Sequence, residues 1–181
     1  MIEELRKQLE AKLASGLDEN PSVIHQGQQF LVFRVAEQEL LIAVDDVREI
    51  IMPPPIAFLP RASREIEGVI ALRGEIMPVV NLRRMLGFKK GALSPATRVL
   101  IVRPHEDDFG IIVDEITEFL WLGEKDIESV PQGYLADEFR VVSGVAKSAT
   151  AVRPLLDVES ILSHVFSKGV GHEKQNVQSA S

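Results

Sequence analysis

Short apolar runs set the limits on what this chain can fold into. Phe30–Val35, Leu40–Val44, Val69–Leu72, Ile76–Val80, Arg98–Val102, Phe109–Val113 and Ile116–Leu122 each span four to seven residues. Turn-forming or charged residues separate them. Runs of that length suit strands; a helix needs an apolar face repeated over about ten residues or more. Pro53-Pro54-Pro55 cannot sit inside a hydrogen-bonded ladder, because proline has no N–H, so Met52–Pro60 reads as an extended connector. Pro78 places the strand Ile76–Val80 at a sheet edge or at a bulge. Frequent turns and few helices point to an all-β fold of small barrels. Two strand series of similar size point to two of them, divided near residues 88–97. Neither half carries a sufficient core alone, so the two are expected to share one.

Helical periodicity appears at three places. Ile2, Leu5, Leu9 and Leu13 form a narrow apolar stripe, so residues 1–28 read as an N-terminal helix and a linker. Asn81 is placed to cap a short helix with Leu82, Met85 and Leu86 on one face and Gly87 as its stop. Asp157 caps a final helix whose Val158, Ile161, Leu162, Val165 and Phe166 share a face. Residues 167–181 lack apolar mass and read as a disordered tail.

No catalytic constellation is visible. The 181 residues include no cysteine, which removes disulfides, thiolate nucleophiles and cysteine metal sites. His25, His105, His164 and His172 have no second ligand at metal-binding spacing on their own elements, so no metal is expected. There is no nucleophile elbow and no glycine-rich phosphate loop, so no cofactor is expected either. The chain lacks a run of about 18 apolar residues. Its first residues, MIEELRKQLEAKL, lack an apolar signal core, so a cytoplasmic protein without direct membrane insertion is expected. A net charge of −7 argues against nucleic acid as a partner. A good core without a chemical site is what a binding module shows.

Charge is uneven along the chain. Residues 61–103 hold nine basic groups against three acids, and residues 104–140 hold eleven acids against two basic groups. Two readings stand: a solvated surface, or one basic and one acidic lobe able to meet neighbours head to tail in rings. Arg73-Gly74 sits between the runs Val69–Leu72 and Ile76–Val80 as the tip of a greasy hairpin. From the residues alone that arginine is open to a catalytic, a structural or a partner-binding role.

The strings QFLVFRVAEQELLIAVDDVREI, EGVIALRGEIMPVVNLRRMLG and VLIVRPHEDDFGIIVDEITEFLWL resemble the CheW family of chemotaxis coupling proteins, from about Gln29 to Val165. The most specific pieces are the G-V-x-x-L-R-G-x-I-x-P-V-V block and the later V-D-x-I. The resemblance implies a CheW-like domain over residues 29–166, with two five-stranded Src-homology-3-like barrels around a common core and no enzymatic activity. It implies an adaptor that couples chemoreceptor tips to the regulatory domain of a CheA-type histidine kinase, cytoplasmic and recruited to membrane receptor arrays. Carried over residue by residue, Val47, Glu49 and Gly68 fall on the kinase-binding surface. Arg73, Asp114 and Ile116 fall on the receptor-binding surface. Ala71 and Asn81 replace the family's asparagine and aspartate, and the stretch SATAVRPLLDV interrupts its continuous last strand. Those departures admit an alternative, a CheW-like regulator that binds one partner and blocks or redirects assembly in a variant pathway such as pilus motility.

Overall fold

The computed structural model describes residues 27–89, 91–105, 107–130, 140–147 and 151–166. The N-terminal stripe, residues 131–139 and the tail lie outside the described residues. Eleven strands run in order: β1 (Gln28–Val35), β2 (Gln38–Ala43), β3 (Val47–Ile51), β4 (Ile66–Leu72), β5 (Glu75–Asn81), β6 (Arg98–Val102), β7 (Phe109–Val113), β8 (Glu115–Leu122), β9 (Ile127–Ser129), β10 (Val142–Lys147) and β11 (Val152–Leu156). Helix α1 (Leu82–Met85) follows β5, and helix α2 (Val158–Phe166) follows β11.

The strands form two sheets: six strands in the order β8-β1-β2-β11-β10-β9, and five in the order β3-β6-β7-β5-β4. The all-β, two-lobed fold therefore stands, with strand counts of six and five in place of five and five. A division near 88–97 is not what the topology shows. β6 and β7 lie beyond that point yet pair with β3 and β5, while β1 and β2 precede it yet join β8 and β11. The first hairpin crosses over because its two apolar faces serve both layers.

Strand alternation explains the unbroken apolar runs. In β1, Leu31, Phe33 and Val35 face a core shared by both sheets and α2, while Phe30 and Val32 face a second cluster belonging to the six-stranded sheet. In β6, Leu100 and Val102 face the shared core, while Val99 and Ile101 enter a third cluster with Ile51, Ile70, Met77, Val79 and Ile112. Successive side chains point to opposite faces, so a strand buried on both faces must be apolar throughout. The shared core and the two private ones account for the core expected from sequence.

Pro78 shows how local rules survive inside a sheet. β5 is an inner strand, yet β7 pairs with it only from Val79 onward. Val69, opposite Pro78, exchanges both backbone bonds with Ala57 at 2.8 Å, away from β5. The Val69–Pro78 pair is thus a non-hydrogen-bonded one, and the missing N–H of Pro78 lies toward the side that β7 has not yet reached. The inward residues of the β4–β5 hairpin are Ile70 and Met77. Ile76 is 77% exposed.

Both short-range caps form. The Asn81 side chain accepts from the Arg84 N–H at 3.2 Å, and the Asp157 side chain accepts from the Ser160 N–H at 3.1 Å. Asn81 also donates its amide N–H to Glu67 at 2.9 Å. The family's aspartate has no donor to offer Glu67 when ionised, so this departure ties α1 to β4.

Candidate functional site

The β4–β5 hairpin turns on Arg73-Gly74, with Leu72 opposite Glu75. Both turn residues have positive φ, 52° and 86°. That geometry matches the right-handed twist of the strands and favours Asn-Gly or Gly-Gly. Arginine at the first position costs free energy that glycine would not. Its guanidinium Nη2 donates to Glu49 Oε1 at 3.0 Å. The Glu49 side chain is 11% exposed and that of Arg73 is 71% exposed.

Glu49 lies on β3 and Arg73 at the end of β4, and these are the two edge strands of the five-stranded sheet. The sheet curls until its edges approach, and the ion pair spans the gap. A residue expected at the kinase surface and one expected at the receptor surface are thereby in direct contact. The carboxylate that sequence reasoning could not name for Arg73 is Glu49.

The other expected residues are placed as follows. Val47 opens β3 and faces the shared core at 8% exposure, so a charge there would attack the fold before any partner. Gly68 sits at a register shift in β4, and a Cβ on it would stand 2.3 Å from the Ala57 carbonyl oxygen and 2.7 Å from Ile56 Cγ2. Glycine is needed there because the proline-rich connector lies directly across it. Ile116 stands opposite Phe33 on β8 and packs against the shared core.

Asp114, at the junction of β7 and β8, is a structural hub. Its Oδ1 accepts from Arg83 Nε at 2.9 Å and its Oδ2 from Arg83 Nη2 at 2.7 Å. Oδ2 also accepts from the Ala36 N–H at 2.6 Å, and the Asp114 N–H donates to the Arg34 carbonyl at 3.0 Å. One carboxylate thus joins α1, the β1–β2 turn and the end of β7. That hydrogen bond raises the pKa of Arg83, although partial burial opposes it.

Part of the charge asymmetry of the sequence is paired internally. Asp108 accepts from Arg103 Nη2 at 2.8 Å and also pairs with Arg48, and Arg83 pairs with Asp114. The Arg103–Asp108 and Arg83–Asp114 pairs join the basic stretch to the acidic one. Arg153, within the departure SATAVRPLLDV, bonds Glu39 at 2.7 Å and Glu118 at 3.3 Å across the six-stranded sheet. Except for Arg103 and Asp108, five residues apart, these pairs close separations of 31 to 114 residues, so sequence does not announce them.

Asp108 supplies a pH prediction. Hydrogen bonding to Arg103 holds its carboxyl below the usual range, against the opposing effect of burial, with Arg48 assisting. A carboxyl depressed in the folded state contributes stability above its unfolded pKa of about 3.9 and loses it as the pH falls through the folded value. Urea midpoints of the parent are therefore expected to fall more steeply below about pH 4 than those of Asp108→Asn. Parallel acid limbs would refute the assignment.

With this geometry in place, comparison with known proteins is informative. Residues 29–166 match the family model of the CheW-like domain. The chain belongs to the CheW family. It is 30% identical over 160 residues to the chemotaxis protein CheW of Helicobacter pylori, covering 88% of this chain and 94% of that one. It is 30% identical over 139 residues to CheW of Bacillus subtilis, covering 77% and 89%. The crystal structure of the scaffolding protein TtCheW from Thermoanaerobacter tengcongensis superposes with a TM-score of 0.68 at 29% identity, covering 74% of this chain and 90% of that one. Membership in the CheW family supports a role for the chain in chemotaxis as an adaptor. Among the described residues no helix is long and apolar enough to cross a membrane.

Proposed function

We propose that this CheW-family chain is a non-enzymatic scaffold that couples chemoreceptor tips to the regulatory domain of a CheA-type histidine kinase. The observation that carries the reading is the Arg73–Glu49 pair. An arginine held at positive φ, where asparagine or glycine fits at less cost, is retained for what its guanidinium does. It spans the edges of one sheet and leaves most of its surface open, so it can fix the hairpin and present a planar donor to a partner carboxylate. In this reading Glu49 and the connector over Gly68 belong to the kinase face. Arg73, Asp114 and Ile116 belong to the receptor face, Arg73 at the hairpin tip and Asp114 by the far end of β5 beside α1. The blocking alternative rests on the departures at Ala71 and Val152–Pro154: of these Arg153 serves internal bonds to Glu39 and Glu118, and Ala71 is an exposed residue of β4.

The test is co-sedimentation of the full chain with receptor tip fragments and the isolated kinase regulatory domain. A single complex holding all three is expected. A folded protein that retains only one partner would defeat the scaffold reading. Arg73→Glu is expected to weaken receptor binding about tenfold or more, a loss of about 1.4 kcal/mol. Its melting temperature should fall, because Glu49, 11% exposed, is left without its cation, but unfolding should stay cooperative because the apolar core is untouched. The swap Arg73→Glu with Glu49→Arg should recover the melting temperature without recovering binding. Recovery of both would show the pair to be structural only.

A further inference from the structure

One groove beside β5 has no role in this reading. It opens where β5 and the chain leading into β7 diverge, encloses about 690 Å³, and is lined by Ile76, Pro78, Phe109, Leu162 and Phe166 together with charged side chains, Arg103 and Asp108 among them. The Phe109 and Phe166 rings meet edge to face at 5.8 Å between centroids and form its floor. Ile76 stands 77% exposed at its lip. This is the half of β5 that β7 leaves unpaired. Its apolar surface continues outward from the shared core.

We infer that this groove is the docking site of the chain's own N-terminal segment, residues 2–13. Ile2, Leu5, Leu9 and Leu13 repeat at the spacing that puts four side chains on one helical face, and a stripe that narrow needs a surface to bury against. The linker is long enough. Residues 14–27 reach about 45 Å when extended, and α2 is only about 14 Å long. The linker also arrives at the right place. Gln28, the first residue of β1, lines a neighbouring cleft with Arg103 and Glu159, and Arg103 and helix α2 border the groove as well. The segment therefore has to pass only along α2. The C-terminal tail leaves from Phe166 at the groove itself, yet it offers only Val170 and Val177 as larger apolar side chains, with no helical stripe. A docked segment lies against Glu75 and Ile76, the residues that follow Arg73-Gly74, and so shields one flank of the hairpin tip.

The absence of cysteine makes the test direct. In full-length protein, Leu9→Cys is paired with Ile76→Cys, and separately with Leu93→Cys, which is exposed in the 91–97 segment. Under mild oxidation the Ile76 pair is expected to close an intramolecular disulfide about tenfold faster or more than the Leu93 pair, because docking raises effective concentration at one site only. Adding Leu5→Asp to the Ile76 pair should remove that advantage while the thermal melt is unchanged. Equal rates for the two pairs would overturn the inference. So would disulfides formed only between molecules, which would assign the groove to a second copy. The readout uses no receptor or kinase, so its failure is distinct from failure of the scaffold reading.

Discussion

Ile70→Asp is expected to abolish cooperative thermal unfolding. Ile70 is 1% exposed and points into the private cluster of the five-stranded sheet, among Ile51, Met77, Val79, Val99, Ile101 and Ile112. An unpaired carboxylate there costs several kcal/mol, either as buried charge or as the work of protonating it. The cost is comparable to the whole stability of a small domain, about 5–15 kcal/mol. The matched control is Ala71→Asp, the next residue on the same strand. Its side chain is on the exposed face, so its melt should stay close to the parent's, within about 0.5 kcal/mol. Circular dichroism melts of the two variants decide the matter. A cooperative transition in Ile70→Asp near the parent's temperature would mean that the sheet does not enclose this cluster.

Asp114→Ala is expected to cost about 2–4 kcal/mol. Three elements lose a common anchor at once. The Arg83 guanidinium loses its bidentate acceptor, and the Ala36 N–H loses its only side-chain partner at a turn with φ of 55°. The neighbouring Arg34–Glu115 pair is the contrast. Its side chains are 44% and 40% exposed, so Glu115→Ala should cost less than about 1 kcal/mol. Urea denaturation of both variants measures the difference. Equal costs would show that Asp114 is another surface charge. The consequence for function is practical: a coupling defect in an Asp114 variant is interpretable only beside its stability, because the same carboxylate holds the β1–β2 turn in place.

The candidate site was legible in part. The hairpin Arg73-Gly74 and its flanking strands follow from local pattern, because a two-residue turn between apolar runs is a short-range event. Glu49 as its partner does not, since β3 and β4 lie at opposite ends of the strand order and meet only when the sheet curls. Val47 and Ile116 were expected at partner surfaces; the fold sets Val47 in the shared core and packs Ile116 against it. Pattern alone cannot distinguish an apolar residue that serves a partner from one that serves the interior.

Seven of the eleven strands, both caps, the rigid proline connector and the need for a shared core are properties of the sequence, because each rests on interactions within a few residues or on total apolar mass. The exchange of β1 and β2 into the sheet of β8–β11 was decided only in three dimensions. So were the clamp of Asp114 on Arg83 and the closure of Arg73 on Glu49. Each depends on which of two apolar faces a strand turns toward which layer. A strand that is apolar on both sides carries no local preference, so packing of the whole makes that choice.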